Sequence, residues 1–242
     1  ARARMLARFP TRASRRGPAW PAGVAAGVAL ALHAATLRGA PWGAAWWAAC
    51  VASGVANTVA GGFGHDAMHT MRPACVLLDW NGLSAYEWTL ERALRHHAHV
   101  HTEHDPDALS MEPFVGWLPG REGLLPPWAV HALYAVAELA VATQGLLVHR
   151  TRWHAPGALR FAPWLFVARA ASYARARGAR DGAATLVLSM AVASYLFAYL
   201  AHLNHDRVRP RDADWMAHQL AQTRDLQRVV PGPLLLSLHR QR

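Results

Sequence analysis

Residues 64–70 read Gly-His-Asp-Ala-Met-His-Thr and place His65 and His69 four apart, at the end of a long uncharged run. On a helix that spacing stacks both imidazoles on one face, about one turn apart, where they can reach one metal ion. A polar helix end with two solvated histidines would read the same way. A second group is denser: His96, His97, His99, His101 and His104 fall within nine residues and run into Asp105 and Asp107. Imidazoles with nearby carboxylates suit iron, zinc, copper or nickel, and no thiolate stands beside them to make a structural zinc knuckle. A histidine-rich surface tract that picks up metal adventitiously is the plainer alternative. The third group is "AHLNHD", with His202 and His205 three apart at the end of another apolar run. Asp66, Asp105, Asp107 and Asp206 are close enough in sequence to bond the outer ring nitrogens of these histidines. Helix capping is an equally good use for them.

The segments that must position these groups are set out by hydropathy. The chain has 242 residues, 53% of them hydrophobic, and a formal charge of +10, so apolar and basic stretches alternate along it. All 25 basic residues are arginine, lying between apolar runs rather than interleaved with aromatics on one face, which argues against nucleic-acid binding. Residues 20–37 and 40–64 are uncharged, and each approaches the ~20 apolar residues that cross a bilayer as helix. The arginine-rich arm 1–19 before them is expected on the cytoplasmic side, as an arm or the remnant of a transit peptide. A tight hairpin of spans would then return His65 and His69 to the cytoplasmic interface. Residues 65–126 are polar and read as a cytoplasmic helical cap.

Further apolar runs cover 127–148, interrupted by Glu138, and 182–203. The expected architecture is all-α: a polytopic membrane helical bundle of about four spans, the domain running over 20–242. The intervening arginines Arg150, Arg152, Arg160, Arg169, Arg175, Arg177 and Arg180 would then lie on the outer face, against the positive-inside tendency. "FAPWLFVARAASY" is expected as an interfacial amphipathic helix rather than a fifth span. Cys50 and Cys75 suggest neither a disulfide framework nor a zinc site. The chain begins without Met and stops on "SLHRQR", and is expected to be a piece of a longer protein.

"HDAMH", the His96-His97 pair, "DPD", "HLNHD" and "DADWMAHQLAQTRDLQ" together resemble the membrane fatty acid desaturases and their hydroxylase and ketolase relatives, from about Gly61 to the end of the chain. The resemblance implies an integral, multi-pass membrane oxidoreductase with two iron ions held almost wholly by histidine. It would act on an acyl lipid or acyl thioester with O2, drawing electrons from a small donor such as a b-type cytochrome or ferredoxin. His65, His69, His96, His97 and His205 would be metal ligands, with His202 as substitute and His101 next in rank; helical spacing alone would instead pick His97, His101 and His104. Two departures stand out. A family histidine three or four residues before His96 is replaced by Ala93 or Arg92, and the last histidine box would begin about where the chain stops, near Gln241.

Removing hydrogen from an unactivated methylene is beyond acid–base side chains, so such chemistry must come from a cofactor. Trp80, Trp88 and Trp215 could line an acyl tunnel, with anchoring at the headgroup level the more ordinary use. Two other functions compete. One is hydroxylation or ketolation of a carotenoid or sterol by the same histidine-box chemistry. The other is a histidine-lined metal transporter, which needs ionisable residues inside the spans, where only Glu138 and His33 partly qualify.

Overall fold

In the computed structural model, residues 20–69, 72–118, 120–147, 155 and 157–204 are described, and among them every regular element is helical. Helix α1 (Trp20–Thr36) and α2 (Ala44–Met68) form the first hairpin. The cap follows as short pieces: a 3-10 turn (Pro73–Cys75), α3 (Val76–Trp80), α4 (Ala85–Trp88), a π-helical run (Thr89–His96), α5 (His97–His99) and α6 (Pro106–Ser110). Helices α7 (Pro127–Leu147) and α8 (Pro163–Asn204) complete the bundle.

Small residues let these helices approach closely, as they do in membrane bundles where packing rather than water exclusion holds helices together. Ala25 and Ala29 of α1 meet Ala56 and Ala60 of α2 in one buried cluster. A Cβ at Gly54 would come within 2.5 Å of the Val192 side chain and 2.8 Å of the Ser189 carbonyl, so only glycine permits the α2–α8 contact. Large apolar side chains point outward instead: Trp20 is 68% and Trp128 75% exposed, and Val24, Leu30, Val55, Val136 and Val187 are exposed with them.

One helical stretch, Leu159–Ala201, is long and apolar enough to cross a membrane, with a mean hydropathy of 1.8 over its best window. It does not run straight. Gly178 has φ +78 and ψ 170, a conformation essentially reserved for glycine, and the chain reverses there. Arg169 donates to Ser189 Oγ at 3.2 Å across this turn, whereas twenty residues of straight helix would separate them by about 30 Å. The arm 163–177 is therefore packed antiparallel to the arm 179–204. The expected separate interfacial helix is a member of the bundle.

Two of its arginines, Arg169 and Arg177, are tied into the fold, while Arg175 and Arg180 are exposed. Arg169, 1% exposed, also donates to the Trp80 carbonyl at 3.2 Å and to Asn81 Oδ1 at 3.4 Å, tying the arm to the cap. Arg177 donates to the carbonyls of Thr36, Arg38 and Gly39 and closes the C-terminal end of α1. His33 bonds Ser172 Oγ at 3.0 Å and stands edge-on to Trp80 and Tyr173. Glu138 lies inside α7 rather than at a boundary. Ser194 of α8 is inserted beside it, accepting from the Glu138 N–H at 2.9 Å and donating to the Tyr134 carbonyl.

Candidate metal centre

Helix α2 runs on past its uncharged residues for another turn, carrying His65 and placing His69 at its C-cap. Their ring centroids lie 5.0 Å apart, as spacing by four on a helix dictates. What completes the group is the π-helical run of the cap. Its wider turn, closed by i to i+5 bonds, brings Arg92, His96 and His97 onto neighbouring positions of one face. The His97 ring then stacks on His69 with centroids 4.8 Å apart and planes 13° from parallel, and its centroid is 6.4 Å from that of His65.

Each of these three rings offers a nitrogen, and the three nitrogens all lie within 4.8 Å of one another. Such a donor set fits one divalent transition metal ion. Burial, and after it the Arg92 guanidinium and the neighbouring imidazoles, hold the His65 pKa well below 6.5, so at neutral pH the ring keeps the uncharged form that a metal requires. Asp66 Oδ1 stands 3.9 Å from His65 Nδ1.

His96 belongs to a different group. Its Nδ1 is 2.8 Å from Asp105 Oδ1 and 3.5 Å from Asp107 Oδ2, and these three residues form a second set with ligand atoms within 4.8 Å of one another. Asp105 is wholly buried and serves several groups at once: it caps α6 by accepting from the N–H groups of Asp107 and Ala108, and it accepts from the His101 N–H at 2.8 Å. Burial pushes its carboxyl pKa up, but the His96 hydrogen bond and charge and the backbone donors outweigh that and leave it below 3.8. One side chain thus caps α6 and bonds the His96 ring. Asp107 Oδ2 forms an ion pair with the guanidinium of Arg92 at 2.6 Å.

An all-imidazole second site is therefore not assembled among the described residues. His101 is buried with φ 53, and α5 ends at His99, so the stripe of His97, His101 and His104 expected from helical spacing is broken. His99 and His104 pair with each other, ring centroids 5.7 Å apart, away from the three-imidazole group. His205, Asp206, Trp215 and Gln241 lie outside the described residues, and of His202 only its place near the end of α8 is described.

That end of α8 comes to the cap. Phe197, Ala198 and Ala201 line a cavity of about 370 Å3 together with Trp88, Arg92, His96, His101 and Glu138. Trp80 turns inward, donating to Asn57 Oδ1 at 3.1 Å, and so serves the bundle interior rather than a tunnel wall. Sequence reasoning had no role for Arg169 or Asn57, whose signal was only a charge and an amide within apolar stretches. No protein-family model matches the chain, and no curated protein or solved structure shows a significant match.

Proposed function

We propose that this chain is the metal-binding part of a membrane oxidase of the desaturase kind, using O2 and electrons from a small redox partner to oxidise acyl chains. The observation that carries the reading is the three-imidazole group of His65, His69 and His97, built from two stretches of sequence that meet only in the fold. Its uncharged nitrogen donors suit iron, which when bound would supply the O2 chemistry that side chains lack.

The chain's own residues have definable parts in this. His65, His69 and His97 hold the metal. Asp105 fixes the ring orientation of His96, which lines the cavity, through Nδ1. Trp88 and Phe197, ring centroids 5.4 Å apart, supply apolar wall where the α8 arm meets the cap. A cavity of about 370 Å3, with Leu83, Trp88, Met111, Val141 and Phe197 among its lining, has room for a length of hydrocarbon chain.

A multi-pass membrane location is part of the same proposal. It is supported by the long apolar stretch Leu159–Ala201, by the shorter apolar helices Trp20–Thr36 and Pro127–Ala142, and by the outward-facing valines, leucine and tryptophans around an α1–α2 contact made by alanines. With the cap histidines on the cytoplasmic side, the four-span arrangement would put the turn at Gly178 on the other.

The test is expression in a host membrane with an electron donor, followed by fatty-acid profiling. New double bonds are expected, and His97→Ala should remove them along with bound iron. Unchanged acyl chains beside altered carotenoids or sterols would move the assignment to hydroxylation or ketolation; absence of bound metal would end it.

A further inference from the structure

The two donor groups of the cap adjoin, since His96 and His97 are consecutive and their ring centroids are 5.4 Å apart. Between the groups lies a permanent cation. Arg92 pairs with Asp107 at 2.6 Å, and its guanidinium carbon sits 4.8 Å above the Trp88 ring, whose centroid is 6.0 Å from that of His65. Arg92 and His96 are four apart on the π-helical run, so the guanidinium stands where an imidazole would complete the second group. The neighbouring Arg95 is spent elsewhere, on Glu91 at 2.9 Å.

A guanidinium offers hydrogen-bond donors and no lone pair, and it does not lose its proton in proteins. It cannot ligate a metal, and it repels a dication brought to the Asp107 carboxylate that it already neutralises. We infer that the centre takes a single metal ion, held by His65, His69 and His97, and that Arg92 supplies at Asp107 the positive charge that a second ion would otherwise bring. The inference rests on the metal-binding reading above. It parts from the two-iron expectation of the sequence, because the His96, Asp105 and Asp107 group is closed by an internal ion pair and serves to hold the cap together.

The experiment is metal counting on the 242-residue chain in detergent, loaded anaerobically with Fe2+ and assayed by mass spectrometry, with Co2+ titration read by visible absorption as a second probe. The native chain is expected to bind a single ion, and His97→Ala none. Asp107→Asn is expected to leave the count at one, because this carboxylate pairs with arginine and not with metal. Arg92→His, which removes the cation and adds an imidazole, is expected to raise the count to two. Two ions in the native chain would overturn the single-ion centre, and an ion lost in Asp107→Asn or no gain in Arg92→His would overturn the role given to Arg92 at Asp107, each while leaving the metal-binding reading in place. No ion in the native chain would overturn that reading itself.

Discussion

Asp105 shows how much one side chain carries in this cap. It accepts from His96 Nδ1, from the His101 N–H and from the N–H groups of Asp107 and Ala108, all from a position with no exposed surface. Asp105→Ala would remove a helix cap, costing about 0.5–2 kcal/mol, and leave two further buried donors unmet at about 1–3 kcal/mol each. A fall in stability of roughly 2.5–8 kcal/mol is expected, read from thermal unfolding in detergent, and an unchanged melting temperature would count against the network described. Cys75 makes a second prediction at this scale. Burial, reinforced by the Asp79 carboxylate, raises its thiol above the ordinary value of 9.0. The folded chain therefore holds this proton more tightly than the unfolded chain. The associated stability is complete below pH 9.0 and lost as pH climbs through the raised value. Alkylation of Cys75 in the native protein should be far slower than in denaturant at pH 8, measured by mass spectrometry of the peptide that contains it.

Among the elements, α8 departs most from its linear pattern. Hydropathy marks one apolar run after residue 181 and a basic, mixed stretch before it, and nothing in periodicity says that the two lie side by side. Gly178 decides it, through a backbone conformation that a Cβ opposes. Gly178→Ala is expected to cost about 1–3 kcal/mol and to loosen the antiparallel arms, seen as a lower melting temperature and new protease cleavage near residue 178. Open space around the glycine means the cost is backbone strain alone. The π-helical run Thr89–His96 is the other element invisible to a helical-wheel reading. Ordinary helical spacing groups His97 with His101 and His104, whereas the wider turn aligns Arg92, His96 and His97, and the chain leaves the helix at His99.

At the scale of the molecule, alanines make the α1–α2 contact and Gly54 the close approach of α2 to α8, while Trp20, Val24, Leu30, Trp128, Val136 and Val187 are exposed around a core that also buries Trp46, Tyr134, Phe166 and Tyr173. A protein built this way is expected to stay in the membrane pellet through alkaline carbonate extraction. Recovery in the supernatant would contradict the membrane assignment. The buried Arg169, bonded to Trp80, Asn81 and Ser189, then acts as a polar tie among arm, cap and bundle. Arg169→Leu would leave the Asn81 and Ser189 partners short of a donor.

The sequence by itself determined the all-helical class, the bounds of the apolar runs to within a few residues, and His65 and His69 as a metal-capable pair. Those follow from local spacing and local hydropathy. Tertiary structure decided that His97, and not His96, joins that pair, that His96 turns to Asp105, that Arg92 is locked onto Asp107, and that Arg169 is a buried tie and Arg177 a helix closure. Each of these depends on which face a short irregular helix presents and on where a glycine reverses the chain. Such choices are set by contacts between residues distant in sequence, so no local pattern records them.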